Sequence, residues 1–236
     1  MNKQSYTWHS PILDREMSLN TYGHAGQNYL VFPTSKGRYF DWEGFGGMVG
    51  ALEHALANGW VQLTCVDSVD AESWYNYGAH PGYRAFRHQQ YDRYISEEVV
   101  PFILSRTGNP FIAAAGCSFG GYHAANFGFR HPDQISKIVS MSGSLDITDN
   151  VVGYYDDNVY YNNPKDYIPG LDDPSILWRL RQQRQYFGLA PNEPFTGDHY
   201  FVVGKLHEKG VPAQLDVPHD AMHDWGFWRH YVNATL

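Results

Sequence analysis

The sequence predicts an α/β fold, with a mostly parallel central sheet and helices on both faces. Short apolar runs of strand length alternate with amphipathic stretches of helical period, the signature of repeated β-α-β units. No internal period or low-complexity tract interrupts that alternation, so repeat architectures drop out. The 236 residues, 43% hydrophobic and 18% charged, suffice for one substantial core, and we expect a single domain over 1–236.

The elements follow in order. "SYTWHSPILDREMSLNTYG" alternates like two short strands, antiparallel at a sheet edge. "QNYLVFPTS" is a buried strand that stops at Pro33, because proline, threonine, serine and the following Gly37 favour a turn. "GGMVGALEHALANG" reads as one helix, with Met48, Leu52 and Leu56 on one face and Gly59 as its stop. "WVQLTCVDS" is the next strand. "RHQQYDRYISEEVVPFILSRTG" places Tyr91, Ile95 and Val99 on one helical face, with a disturbance expected near Pro101. Strand "PFIAAAGCS", helix "GYHAANFGFRHPD" and strand "ISKIVSMSGS" continue the alternation. Strand "RQYFGLAP", helix "YFVVGKLHEKG", strand "AQLDV" and helix "WGFWRHYVNATL" complete it. Between about 145 and 177 periodicity is lost in a stretch rich in Tyr, Asn, Asp and Pro, which reads as an irregular insert forming a cap or pocket wall.

The charge balance narrows the partners. Seventeen Lys and Arg against 25 Asp and Glu give a net charge of −8, and no basic run tracks a phosphate backbone, so nucleic acid is not an expected partner. The first residues lack a signal-peptide core and no apolar run reaches membrane-spanning length. We expect a cytoplasmic protein without a membrane partner; assembly into homo-oligomers is left open. Two cysteines are too few for a disulfide scaffold or a zinc site.

Chemistry concentrates at "AAAGCSFGGYHAANF", residues 113–127. Glycines 116 and 120 flank Ser118 two places on either side, a pattern that is weak alone and informative in context. Here it follows a strand and opens a helix, the setting in which a strained elbow lifts a serine hydroxyl above a sheet edge. The helix N-terminus then offers backbone NH groups to an oxyanion. Phe119 NH is the first expected donor, and the turn after "YLVFPTS" supplies the second from Thr34 or Ser35. A serine hydroxyl needs a base, and histidine has the right affinity for protons near neutrality. In chain order Ser, acid, His, the base follows the last strand, where "AQLDVPHDAMHDWGFW" offers His219 and His223.

At this point the chain resembles a known family, the putative esterase (esterase D-like) family of the α/β hydrolase superfamily. The matching pieces are "VFPTSKGRYFDWEGFG", "TCVDSVDAESWYN", "GCSFGGYHAANFGFRHPD", "GYYDDNVYYNNP" and "MHDWGFWR", in family order over nearly the whole chain. The resemblance implies an α/β-hydrolase fold and a His-x-Trp-x-x-Trp motif bearing the base, which selects His223, with Trp225 and Trp228, over His219. Where the family carries its acid, this chain reads "FGLAPNEPFTGDHYF"; counting back from "HEKGV" indicates Glu193, with Asp198 as the alternative. The stretch holding Asp67, Asp70 and Glu72 corresponds to a loop at the site mouth rather than a metal centre, so no metal or other cofactor is expected. Trp74 and Tyr75 in that loop, and Tyr154 and Tyr155 in the insert, are candidate substrate contacts. The sheet order usual for this fold sets Cys65 and Cys117 two strands apart, beyond disulfide reach, as free thiols. The function implied is ester hydrolysis of a small molecule through an acyl-enzyme. The same triad also serves thioesterases and acyltransferases, and a catalytically weak binding protein on a hydrolase fold is the rival.

Overall fold

The structure, a computed structural model, describes residues 2–44 and 46–236. Eight strands form one sheet in the order β1-β2-β4-β3-β5-β6-β7-β8. They are β1 (Lys3–Ser10), β2 (Arg15–Tyr22), β3 (Gln27–Phe32), β4 (Val61–Val66), β5 (Ile112–Cys117), β6 (Lys137–Met141), β7 (Arg184–Gly188) and β8 (Ala213–Asp216). The first two are antiparallel, β2 is antiparallel to β4, and every pair from β4 onward is parallel. The edge strand β1 is mostly exposed and polar, whereas β4, β5 and β6 are buried throughout, as a sheet covered on both faces requires.

The two-residue period of the strands sorts their side chains into two cores. Leu30 and Phe32 of β3, with Ile112 and Ala114 of β5, face one side; Tyr29, Val31, Ala113, Ala115 and Cys117 face the other. The first side is covered by α3 (Pro81–Tyr94), α4 (Val100–Thr107), α5 (Phe119–Arg130), α7 (Pro164–Gly170), α8 (Pro174–Gln182) and α9 (Thr196–Glu208). The second is covered by α1 (Met48–Ala51), α2 (Glu53–Ala57) and α10 (Trp225–Ala234).

Three local expectations need correction. The single helix expected over residues 46–59 is two short ones, broken at Leu52, whose backbone leaves helical geometry (φ −96°, ψ 6°). The helix read from Arg87 begins at Pro81, because proline suits a first turn. Its disturbance is a π-helical turn, Ile95–Val99, immediately before the turn bearing Pro101. The 145–177 insert is less irregular than its composition suggests. It holds α6 (Asp157–Tyr160), α7 and the start of α8, nucleated by prolines at first turns and by Asp156 and Asp173 accepting from backbone NH groups. No helix among the described residues is long and apolar enough to cross a membrane.

Candidate active site

All parallel strands point their carboxyl ends at one edge of the sheet, and the loops leaving β3, β5, β7 and β8 meet there. This is the edge where open α/β sheets place ligands. Ser118 leaves β5 with φ 54° and ψ −127°, a conformation that costs a non-glycine residue about 1–3 kcal/mol. Two backbone bonds hold it: Ser118 NH donates to the Met141 carbonyl (2.8 Å) and Gly121 NH to the Ser118 carbonyl (2.8 Å). The tight turn presses α5 against the end of β3. A Cβ on Gly120 would stand 2.5 Å from both the Phe32 and Pro33 carbonyl oxygens, so only glycine fits.

The hydroxyl meets an imidazole. His223 Nε2 is 3.1 Å from Ser118 Oγ, and His223 Nδ1 is 3.2 Å from Glu193 Oε1. A carboxylate only accepts, so Nδ1 carries the proton and Nε2 of the neutral ring accepts from the serine. The Glu193 carboxylate is 4% exposed and the His223 side chain 41%; the acid is shut in while the imidazole opens to water. Glu193 Oε1 also accepts from Ala190 NH at 3.2 Å, which closes the loop after β7. Trp228 meets the His223 ring nearly perpendicularly at 5.0 Å. Its own indole NH donates to Ser142 Oγ at 3.0 Å, at the end of β6. Asp224 accepts from Phe227 NH (2.9 Å) and starts α10 directly after the histidine.

A match to the family described as "Putative esterase" spans residues 10–236. The chain belongs to the putative esterase family. It is therefore a carboxylic ester hydrolase by family and an α/β hydrolase by fold. Solved structures agree on the fold. A ferulic acid esterase superposes with a TM-score of 0.80 at 18% identity, covering 100% of this chain and 96% of that one. An S-formylglutathione hydrolase of Staphylococcus aureus gives 0.71 at 16% identity (99% and 94% covered). The MPT51 protein of Mycobacterium tuberculosis gives 0.69 at 18% (100% and 96%). No curated protein matches the sequence.

The other candidate residues of this esterase divide. Asp198, the alternative acid, is 2.8 Å from Lys165, which also pairs with Asp146 at 2.9 Å; it ties α9 to the insert and has no hydrogen bond to His223. His219 is 98% exposed and pairs loosely with Asp220. Thr34 NH donates to Asp41 Oδ2 at 2.9 Å, and its hydroxyl does so at 2.8 Å, so of the two loop candidates only the Ser35 NH lacks a partner among the described residues. The NH of Phe119, first residue of α5, has no carbonyl within the helix to bond.

Trp74 is corrected as a substrate contact. It is fully buried, its ring 4.9 Å from His88, because the loop after β4 folds it inward. Tyr75 instead stands at the mouth, 4.9 Å edge-on to Phe119, its hydroxyl 2.8 Å from Ser35 Oγ. Tyr154 packs with Tyr75 against the small apolar cluster that includes Phe119, and its hydroxyl donates to Asp156. Tyr155 is exposed and donates to Asp166 at 2.6 Å, within the insert rather than toward Ser118.

The acidic stretch after β4 is fully occupied by protein partners. Asp67 pairs with Arg38, Asp70 with His123 and the Lys36 NH, and Glu72 with Arg15 and Arg87. Among the described residues no cluster of His, Cys, Asp or Glu is arranged to hold a metal ion. Cys65 and Cys117 are buried free thiols on β4 and β5, with β3 between them; burial pushes both thiols up from their usual range. Sequence reading missed Phe195, whose ring lies 6.3 Å from His223, and Asp41. Nothing in composition separates Phe195 from the other aromatic residues, but Asp41 sits in the quoted "FDWEGFG", a few residues after the turn that carries Thr34 and Ser35.

Proposed function

We propose that this esterase works through an acyl-enzyme, with Ser118 as nucleophile, His223 as general base and Glu193 as the carboxylate that orients and stabilises the imidazolium. The supporting observation is the unbroken row from Ser118 Oγ through His223 to Glu193 at 3.1 and 3.2 Å. Ser118 Oγ attacks the ester carbonyl carbon while its proton passes to His223 Nε2. The carbonyl oxygen, now an anion, is received by the NH groups of Phe119 and Ser35 at the positive end of α5. The C–O bond to the alcohol breaks as His223 returns the proton to that oxygen. Water, deprotonated in turn by His223, repeats the sequence on the acyl-enzyme and frees the acid.

Water is the favoured acceptor over an alcohol because the imidazole is 41% exposed and bulk solvent reaches the acyl group. Tyr75 borders the oxyanion side of the opening and Phe195 the histidine side. Aromatic walls on both sides suit a small ester with a flat acyl or alcohol group, as the name of the ferulic acid esterase neighbour suggests. The test uses a fluorophosphonate probe and p-nitrophenyl acetate. We expect one probe per chain, on Ser118, and loss of hydrolysis in Ser118→Ala. A Ser118→Ala protein that still hydrolyses the ester at the native rate overturns the assignment. A panel of feruloyl, sugar-acetate and thioester substrates then ranks the acyl and leaving groups.

A further inference from the structure

Behind the nucleophile lies a buried histidine paired with a buried carboxylate, His123 and Asp70, that the reaction does not touch. His123 stands on α5 one turn beyond Phe119, and its Nε2 is 2.8 Å from Asp70 Oδ1; the side chains are 2% and 0% exposed. The other carboxylate oxygen, Asp70 Oδ2, accepts the Lys36 NH at 3.0 Å. Lys36 has φ 55° and is the third residue of a tight turn closed by Gly37 NH donating to the Thr34 carbonyl at 2.8 Å. The second residue of that turn is Ser35. One carboxylate therefore joins the helix whose first NH is one oxyanion donor to the turn that carries the other.

We propose that Asp70 and His123 form a positioning pair that fixes the spacing between the two halves of the oxyanion hole. This rests on the acyl-enzyme reading above. Replacing a buried, hydrogen-bonded acid–base pair by apolar side chains is often neutral for stability, so stability alone is a poor reason for a carboxylate at this depth. Its specific effect is geometric. Without the Asp70 carboxylate, the part-buried Lys36 NH loses its acceptor, and the turn, whose Ser35 and Lys36 are exposed, is free to rotate toward water, taking the Ser35 NH with it. His123 in turn is held flat: its ring stacks on Phe32 at 5.7 Å and on His88 at 5.3 Å, and Phe119 meets it edge-on at 5.1 Å. The carboxylate thus cannot swing without displacing aromatic rings under the elbow. Asp41, which takes the Thr34 NH, pins the same turn from its other end.

The test compares Asp70→Leu, which keeps the branched heavy-atom skeleton without its oxygens, with Asp70→Asn. Asparagine keeps an oxygen for the Lys36 NH and an NH2 group for His123 Nε2, which accepts in its other neutral tautomer. Rates on p-nitrophenyl acetate are expressed per Ser118 titrated to completion with fluorophosphonate, so unfolded protein does not enter. We expect kcat of Asp70→Leu to fall on the order of 100-fold with KM within about threefold, and Asp70→Asn to recover to within about fivefold of native. Native kcat per titrated serine in Asp70→Leu, or equal losses in the Asn and Leu variants, overturns the proposal. If Asp70→Leu does not fold, His123→Leu against His123→Gln poses the same comparison, since glutamine retains an NH for Asp70. A native protein that takes no probe and hydrolyses no ester refutes the acyl-enzyme reading instead, so the two failures differ.

Discussion

Lowering the pH should destabilise this protein through His199. His199 is on α9, fully buried, and its Nδ1–H donates to the Phe195 carbonyl at 3.2 Å, closing the loop that carries Glu193. Burial pushes its pKa down from 6.5 to about 4, against the opposing pull of the Phe195 carbonyl, Glu193 and Asp198. A depressed folded pKa means the unfolded chain binds more protons between the two values, so stability rises with pH across that window and falls on acidification. The contribution is fully present above about pH 6.5. By pH 4 about 3 kcal/mol of it is lost, at about 1.4 kcal/mol per pH unit. Burial holds His88 well below its ordinary value too, and it acts in the same direction. The perturbation is His199→Phe, since the site is already walled by Phe187 and Phe195 at 6.0 and 5.9 Å. Urea unfolding of both proteins at pH 4 to 8 and fixed ionic strength, followed by tryptophan fluorescence, gives the difference free of other titrating groups. The variant should start less stable at pH 8 by the lost hydrogen bond and gain about 3 kcal/mol relative to native by pH 4. Parallel stability curves for the two proteins would refute the reasoning.

Glu193→Gln should lower kcat by 10²- to 10⁴-fold on the order of what loss of an orienting carboxylate costs, whereas Asp198→Asn, bound to Lys165, should stay within about threefold; steady-state kinetics on p-nitrophenyl acetate separates them. Gly120→Ala drives a Cβ to 2.5 Å from the Phe32 and Pro33 carbonyls and should cost more than tenfold in kcat along with a lower melting temperature. A thiol reagent should find Cys65 and Cys117 unreactive in the native protein and both reactive in denaturant without reductant, because each is buried and neither is bonded to the other.

The strands were legible because each is an apolar run bounded by a turn, and the sheet has both faces covered. Helix interiors were legible too, from the spacing of Tyr91, Ile95 and Val99. Their ends were not. Leu52 separates α1 from α2 two residues after Gly50, a weak helix breaker inside an otherwise periodic apolar face, and the π-turn at Ile95–Val99 adds one residue to a turn whose apolar spacing still reads as four. The insert misled because Asn, Asp and Pro signal loops by composition, whereas Asp156 and Asp173 here cap helices.

The site was legible in proportion to how local each part is. Ser118 and Phe119 are announced by the glycines that a strand-turn-helix elbow needs, all within five residues. His223 lies 105 residues on and was selected by the motif around it, a resemblance rather than a physical necessity of its neighbours. Glu193 was the least readable, since an orienting carboxylate needs only to reach one ring nitrogen, and several loop geometries deliver that from different positions. What separates Glu193 from Asp198 is a competitor: Lys165, from the insert, takes the Asp198 carboxylate, and no pattern within the β7 loop shows where a lysine 33 residues upstream of Asp198 will lie. The same holds for Trp74 and Tyr75. Adjacent in sequence, they divide between core and mouth according to which faces inward as the loop after β4 turns toward Asp70 and the turn that carries Ser35. Where a role depends on one residue's backbone it can be read from the chain, and where it depends on which distant side chain arrives first it has to be seen.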